Sequence, residues 1–151
     1  MDTPMDLSPE RMQTLVSVLD EIIPPRPDGR LPGAGQLGLA EPIARDAALR
    51  AVLEPGLDAL EELARGKGAV GFAELESDVR RAVLDEVSAL APALVPTLVA
   101  QAILGYYQDL RVWQGIGLEP RPPHPQGYEV EPTNFSILDP VREREPFYRE
   151  P

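Results

Sequence analysis

Residues 8–25 read SPERMQTLVSVLDEIIPP, and this stretch defines the first helix of the chain. Ser8 is a favoured N-cap because its hydroxyl can accept a backbone N–H of the first turn. Pro9 suits the first helical position, where its missing N–H costs nothing. Apolar residues then recur at steps of three and four, which predicts an apolar face made of Met12, Leu15, Val16, Leu19, Ile22 and Ile23. Pro24 and Pro25 end the helix because neither can donate the next backbone hydrogen bond.

Helical patterns continue from this helix to residue 118. A second helix is predicted from about residues 39–42 towards Leu49, and Pro55-Gly56 is expected to break or kink it. The face of a third helix would be Leu57, Leu60, Leu63 and Ala64, and a fourth would follow over residues 79–90. Pro92 opens a fifth, whose predicted apolar stripe is Val95, Leu98, Val99, Ala102, Ile103 and Tyr106. Because no alternating strand pattern of useful length occurs, the sequence predicts an all-α fold, a small bundle of five to six short helices.

The composition changes after Leu118. Residues 119–151 contain eight of the 18 prolines and show no helical period. This tail is nevertheless richer in large apolar side chains than a typical disordered segment: Tyr128, Phe135, Ile137, Leu138, Phe147 and Tyr148. We therefore predict a helical domain over residues 1–118 and an extended, proline-rich C-terminal tail over residues 119–151, which wraps its own domain or a partner.

Charge and cysteine content exclude several classes of function. The formal net charge is −11, and Arg80-Arg81 is the only adjacent basic pair, so no nucleic-acid surface is expected. The absence of cysteine excludes disulfides, thiolate nucleophiles and iron–sulfur clusters. The first residues carry no apolar signal segment, so we expect a cytoplasmic protein, periplasmic only if it is exported together with a partner. The uncharged run over residues 87–108 is interpreted as a buried helix and not as a membrane span, because Pro92 and Pro96 interrupt it.

Several short motifs suggest chemistry but have simpler interpretations. Residues 33–38 (GAGQLG) match the glycine pattern of dinucleotide-binding folds, yet they follow a proline-rich segment that cannot be a central strand. His124 is the only histidine and has no second histidine to complete a metal site. Asn134-Phe135-Ser136 fits a glycosylation sequon without a secretory signal. The acidic groups are interpreted as solvated faces: Glu61, Glu62, Glu74, Glu76 and Asp78. We predict no catalytic, cofactor-binding or metal-binding residue in this chain.

Aromatic residues are concentrated around residues 106–113. Tyr106 belongs to the predicted helical stripe, whereas Tyr107 and Trp113 can be either core residues or partner anchors, because aromatic residues and arginine are enriched at binding hot spots. Together with the tail, they form a predicted partner interface: Tyr107, Arg111, Trp113, His124, Tyr128, Phe135, Phe147 and Tyr148.

Two stretches of the chain resemble the gluconate 2-dehydrogenase subunit 3 family. The first runs from LSPE (residues 7–10) to LDEIIP (residues 19–24), where that family also has a capped helix ending in an "IIP" break. The second is GYYQDLRVW (residues 105–113), continued by Gly117 and residues 122–128. The resemblance spans most of residues 7–128.

The resemblance implies a non-catalytic small subunit that forms a hetero-oligomer with a flavin-dependent large subunit of the glucose–methanol–choline oxidoreductase type. FAD and the catalytic residues would lie on that partner, and the small subunit would help it fold, take up its flavin or be exported. Family members often carry a twin-arginine signal. No such signal is seen here, and its absence favours a cytoplasmic complex. Two alternatives remain open: a self-contained helical binding module whose tail completes its own core, and an independent enzyme that uses carboxylates with tyrosines.

Overall fold

A computed structural model of the protein describes residues 7–121, His124, Gly127 and residues 131–145. The chain divides into one unit that ends at Pro120 and a second that begins at Arg121. The first unit contains six α-helices: α1 (Pro9–Ile22), α2 (Ala40–Arg45), α3 (Arg50–Gly66), α4 (Ser77–Leu90), α5 (Leu94–Tyr106) and α6 (Leu110–Gly115). Short 3-10 turns occupy Gly35–Leu37, Ala47–Leu49 and Phe72–Glu74. No strand occurs in the part of the chain that the structure describes, so the all-α prediction is confirmed.

Helix α1 forms as its sequence predicts. The hydroxyl of Ser8 accepts a hydrogen bond from the backbone N–H of Arg11 at 3.3 Å, and Pro9 is the first helical residue. Leu15 and Leu19 are completely buried, and the other four residues of the predicted face pack partly buried against the core: Met12, Val16, Ile22 and Ile23. Helix α1 packs against α2, α3, α4 and α5, which places it at the centre of the bundle.

The predicted break at Pro55-Gly56 is wrong, because α3 is continuous from Arg50 to Gly66. Pro55 lies on the exposed side of the helix, and Ala51, whose carbonyl loses its intrahelical donor, is exposed as well. Gly56 is buried, and a Cβ atom there would lie 2.5 Å from Cδ1 of Leu94 on α5. The glycine therefore permits close packing of α3 against α5, and the proline costs little because water can reach the unpaired carbonyl.

Helix α2 is shorter than predicted. It ends at Arg45, because Asp46 adopts an extended conformation and its carboxylate accepts a hydrogen bond from the backbone N–H of Ala48 at 2.9 Å. This side-chain contact starts a separate 3-10 turn before α3, as expected for aspartate at a helix cap.

The core lies between α1, α3, α4 and α5, with contributions from the loop after α1 and from α6. Its largest fully buried side chains are Phe72, Leu15, Leu19, Leu53, Leu57, Leu60, Leu94, Leu98, Val18, Val83, Val87 and Val112. A buried carboxylate ties α1 to α4: Glu21 is 6% exposed, lies 2.8 Å from Nε of Arg80 and accepts a hydrogen bond from the Ser77 hydroxyl at 3.0 Å. Arg81 also contacts Glu21, at 3.3 Å. Both arginines of the adjacent basic pair, Arg80 and Arg81, therefore bind the same carboxylate.

The uncharged run over residues 87–108 is divided between the end of α4 and all of α5. Within the described residues, no single helix is long and apolar enough to cross a membrane. Helices α4 and α5 reach that length and composition only as a pair, and the chain bends by 119° between them.

The second unit contains a 3-10 turn, Phe135–Leu138, followed by α7 (Asp139–Arg142). The sequence predicts an extended tail, whereas these residues are helical. The side chain of Asn134 accepts hydrogen bonds from the backbone N–H and hydroxyl of Ser136, and Pro140 occupies the first turn of α7, where its missing N–H is tolerated. Residues 131–145 are all exposed.

Candidate partner interface

Helix α5 is apolar on two opposite faces. Its buried face consists of Leu94, Leu98, Ala102 and Tyr106, spaced by four residues. Leu98, Ala102 and Tyr106 of the predicted stripe are thus buried as expected. Val95 and Val99, which also belong to that stripe, are half-buried. Ile103, which the stripe predicts to be buried, is 47% exposed, because the helix turns Leu94 towards Gly56 of α3 and Ile103 lies on the other side.

The exposed face of α5 is made of Pro96, Ala100, Ile103, Leu104 and Tyr107, all of which are exposed. Their spacing follows one side of an α-helix. Leu104 is 60% exposed and Tyr107 is 55% exposed. A surface helix of a globular protein normally turns a charged face to water, whereas a helix that is apolar all round is normally covered. Helix α5 therefore has an apolar side that no other described part of its unit covers.

Exposed apolar side chains continue past α5, at the start of α6 and in the residues that follow it. Leu110 is 53%, Ile116 47% and Leu118 56% exposed. We refer to Ile103, Leu104, Tyr107, Leu110, Ile116 and Leu118 as the α5–α6 surface. Scattered surface leucines are common, but six large exposed apolar residues within sixteen consecutive positions make this part of the chain the candidate interaction site.

Tyr106 and Tyr107 have different environments. The Tyr106 hydroxyl is buried and donates a hydrogen bond to the carbonyl oxygen of Pro32 at 2.9 Å. Burial raises the pKa of this hydroxyl, with a smaller effect of Tyr107, so it remains a donor. The two rings meet edge to face with centroids 5.4 Å apart. The buried ring of Tyr106 thus packs against the exposed ring of Tyr107.

The turn between α5 and α6 is fixed by side-chain hydrogen bonds. Asp109 accepts the backbone N–H of Arg111 at 2.8 Å, and its two oxygens bind the guanidinium of the same residue at 2.9 and 2.8 Å. These hydrogen bonds lower the pKa of Asp109. Trp113 is half-buried, and its Nε1 donates to the carbonyl oxygen of Tyr107 at 2.6 Å. The structure thus brings together three of the predicted interface residues, Tyr107 at the end of α5 and Arg111 and Trp113 on α6.

A groove of about 600 Å³ adjoins this surface. Leu39, Pro42 and Ile43 form one wall, and Gln101 and Leu104 of α5 form the other together with Gln108, which follows the helix. Gly105 lets the two walls approach, since a Cβ atom there would lie 2.8 Å from Cδ2 of Leu39. Leu104 belongs both to the groove and to the α5–α6 surface, so an apolar side chain seated in the groove would also contact that surface.

The predicted interface residues of the tail are only partly described. His124 is exposed and Phe135 is 61% exposed. Ile137, Leu138 and Val141 near Phe135 are exposed as well. Tyr128, Phe147 and Tyr148 lie outside the described residues, and the role of all five predicted tail contacts remains a prediction.

Sequence reasoning missed Leu104, Leu110, Ile116 and Leu118. For Leu104 the available signal was the absence of any charged residue over residues 87–108, whereas Leu110, Ile116 and Leu118 lie outside that run. A helix that packs on one side only would carry charges on the other. The helical period of the sequence shows which apolar residues share a face of a helix, but contacts with other helices decide which face is buried.

The glycine-rich motif at residues 33–38 serves the packing of a loop against α1. A Cβ atom at Gly35 would lie 2.5 Å from the carbonyl oxygen of Val16, and one at Gly33 would clash with the Asp20 carboxylate. The backbone N–H of Gly35 donates to that carboxylate at 2.8 Å, while Gly38 adopts a φ of 76°. The Asp20 carboxylate of α1 therefore accepts the N–H of Gly35 and holds this glycine-rich loop against the helix.

The acidic groups are mainly on the surface, and some have partners. The Thr14 hydroxyl donates to Glu61, and Asp78 lies 3.5 Å from Arg81. Among the residues that the structure describes, no three histidine, cysteine, aspartate or glutamate side chains form a group able to hold a metal ion.

Comparison with known proteins gives one match. The family model described as gluconate 2-dehydrogenase subunit 3 matches residues 9–120. No curated protein and no solved structure shows significant similarity to the chain. The match ends at Pro120, which is also the last residue of the first structural unit.

Proposed function

Because the chain belongs to the gluconate 2-dehydrogenase subunit 3 family, we propose that it is a non-catalytic accessory subunit of a flavin-dependent oxidoreductase. It binds and stabilises a large subunit that carries FAD and oxidises a sugar or a related alcohol. The two chains form a hetero-oligomer in the cytoplasm, and export would occur only as a complex.

The second apolar face of α5 supports this proposal most directly. Covering a side chain of the size of Leu104 contributes about 1.5–3 kcal/mol when it is fully buried, so the α5–α6 surface can stabilise a complex substantially. Tyr107, Arg111 and Trp113 add the residue types that dominate binding hot spots. The arrangement offers exposed apolar, aromatic and arginine side chains, which suit a binding role.

The test is co-expression with the flavoprotein encoded beside this chain, followed by size-exclusion chromatography and measurement of flavin absorbance. We expect co-elution and a higher yield of flavin-loaded large subunit. Leu104→Glu should weaken the complex by about 2 kcal/mol or more, which is about 30-fold in Kd, because it places a charge in a desolvated contact.

Val70→Glu is the matched control, because Val70 is an apolar residue, 82% exposed, that lies outside the α5–α6 surface. If the flavoprotein elutes alone and is equally soluble and flavin-loaded without this chain, the proposed function is wrong. If Leu104→Glu and Val70→Glu bind equally well, the complex uses another surface.

A further inference from the structure

A second groove, of about 710 Å³, lies between the loop that follows α1 and helix α6. Arg26 and Arg30 line it from the loop, and Arg111 lines it from α6. Gln36 and Gln114 complete its polar lining. Three of the 14 basic residues of a chain with a net charge of −11 thus converge on one site.

Contacts from three directions fix the loop side of this groove. The hydroxyl of Tyr106 donates a hydrogen bond to the carbonyl oxygen of Pro32 at 2.9 Å. The backbone N–H of Arg26 donates to the carbonyl oxygen of Leu31, also at 2.9 Å. On α6, Gly115 approaches the loop so closely that a Cβ atom would clash with the carbonyl oxygen of Arg30. The groove is therefore preorganised, which lowers the entropic cost of binding a ligand there.

The polar groups that the groove offers are mostly N–H donors. Gln36 uses its side-chain oxygen to accept the backbone N–H of Gly33 at 3.1 Å, which leaves its amide nitrogen available. Arg26 lies 3.1 Å from Asp28, and Arg111 is held by Asp109. Arg30 makes no ion pair with any residue that the structure describes. Guanidinium groups and amide donors together select a ligand with acceptor oxygens and negative charge.

We propose that this groove binds an acidic peptide segment, with a Glu or Asp carboxylate placed against Arg30. Asp28 and Asp109 neutralise two of the three arginines, so one net positive charge remains, which matches a single carboxylate better than a phosphate dianion. Pro25, Leu31 and Pro32 give the same groove apolar surface for the backbone and side chains of a peptide. The identification of this segment as part of the oxidoreductase large subunit rests on the proposed function.

The first experiment needs no partner protein. The full-length, isotope-labelled chain is titrated with an acetylated and amidated tetraglutamate peptide and, separately, with inorganic phosphate, with ionic strength matched by sodium chloride. We expect saturable NMR shifts confined to the amides of residues 26–36 and 111–115. Arg30→Glu should raise the Kd at least about tenfold, because it replaces attraction by repulsion.

Arg45→Glu is the matched control, since Arg45 is an exposed arginine on α2 that does not line the groove. Shifts that are dispersed, or that are unchanged in Arg30→Glu, overturn the proposal. Equal shifts of the same amides by phosphate also overturn it, because they indicate a site for small anions.

The second experiment separates this proposal from the proposed function. With the co-expressed flavoprotein, Arg30→Glu should raise the Kd of the complex about tenfold at low salt, and less at high salt, where charges are screened. If the complex forms and Arg30→Glu binds like Arg45→Glu, the groove proposal is wrong while the proposed function stands. If no complex forms but the tetraglutamate peptide binds, the proposed function is wrong and the chemistry of the groove stands.

Discussion

Tyr106 and Pro32 are joined by a hydrogen bond although they are 74 residues apart in the chain. The tyrosine ends α5, and the proline lies in the loop that follows α1. The contact fixes the arginine-lined groove and supports the ring of Tyr107 on the α5–α6 surface. One buried hydroxyl therefore links the two candidate binding sites.

Tyr106→Phe removes this hydroxyl and keeps the ring. We expect the free energy of unfolding to fall by about 1 kcal/mol, because the carbonyl of Pro32 loses its donor. Urea denaturation measures this change, and amide hydrogen exchange should increase in residues 26–34. Tyr107→Phe is the control, since that side chain is 55% exposed. Equal stability of the two variants would show that the hydrogen bond contributes nothing.

Gly56→Ala tests the close packing of α3 against α5. Alanine favours a helix over glycine by about 1 kcal/mol, but its Cβ would lie 2.5 Å from Leu94. We expect a net loss of about 1–3 kcal/mol in the free energy of unfolding, as for an overpacked core. Gly66→Ala at the end of the same helix meets no atom within 4 Å and should be neutral or stabilising. Stabilisation by both substitutions would contradict this packing.

The contrast between α1 and α3 shows how far the sequence predicts the fold. The cap, the apolar period and the stop of α1 lie within one stretch of chain, so they can be read without knowledge of tertiary contacts. The continuity of α3 depends on Pro55 facing water and on Gly56 facing Leu94. Those two conditions are set by helices that are distant in sequence, and local signals favour a break instead.

The candidate interface shows the same limit. Composition identifies Tyr107, Arg111 and Trp113 as partner-type residues, and the structure brings them together where α5 meets α6. The exposure of Leu104 could not be predicted, because an uncharged helix gives no sign of which apolar side faces the core. The roles of the glycines at residues 33–38 likewise depend on their distance from α1.

Asp20→Asn should change how stability depends on pH. Burial raises the pKa of the Asp20 carboxyl, against the opposing effect of the backbone N–H groups of Gly35 and Gln36. The folded state therefore holds the proton more tightly than the unfolded state. The stability gained from this group is fully present below its unfolded pKa and is lost as pH rises through the raised folded pKa.

Asparagine keeps an oxygen for the N–H of Gly35 and removes the charge of this half-buried side chain. We expect Asp20→Asn to be at least as stable as the natural chain near pH 7, and any advantage to disappear as the pH falls to about 4. Urea denaturation across this range measures the difference. Asp20→Ala, which lacks the acceptor, should lose about 1 kcal/mol. An asparagine variant that is less stable, with a gap that widens as the pH rises, would refute this account.

A chain truncated after Pro120 distinguishes an accessory subunit from a module whose tail completes its own core. Among the residues that the structure describes, those of the buried core cluster lie between Leu15 and Val112, within the family match. We therefore expect residues 1–120 to fold and to melt within about 4 °C of the full chain, which corresponds to less than about 1–2 kcal/mol for a domain of this size. Calorimetry measures the melting temperature, and co-elution with the flavoprotein measures binding. A large loss of melting temperature would favour the self-completing module, whereas unchanged melting with weaker binding assigns the tail to the partner.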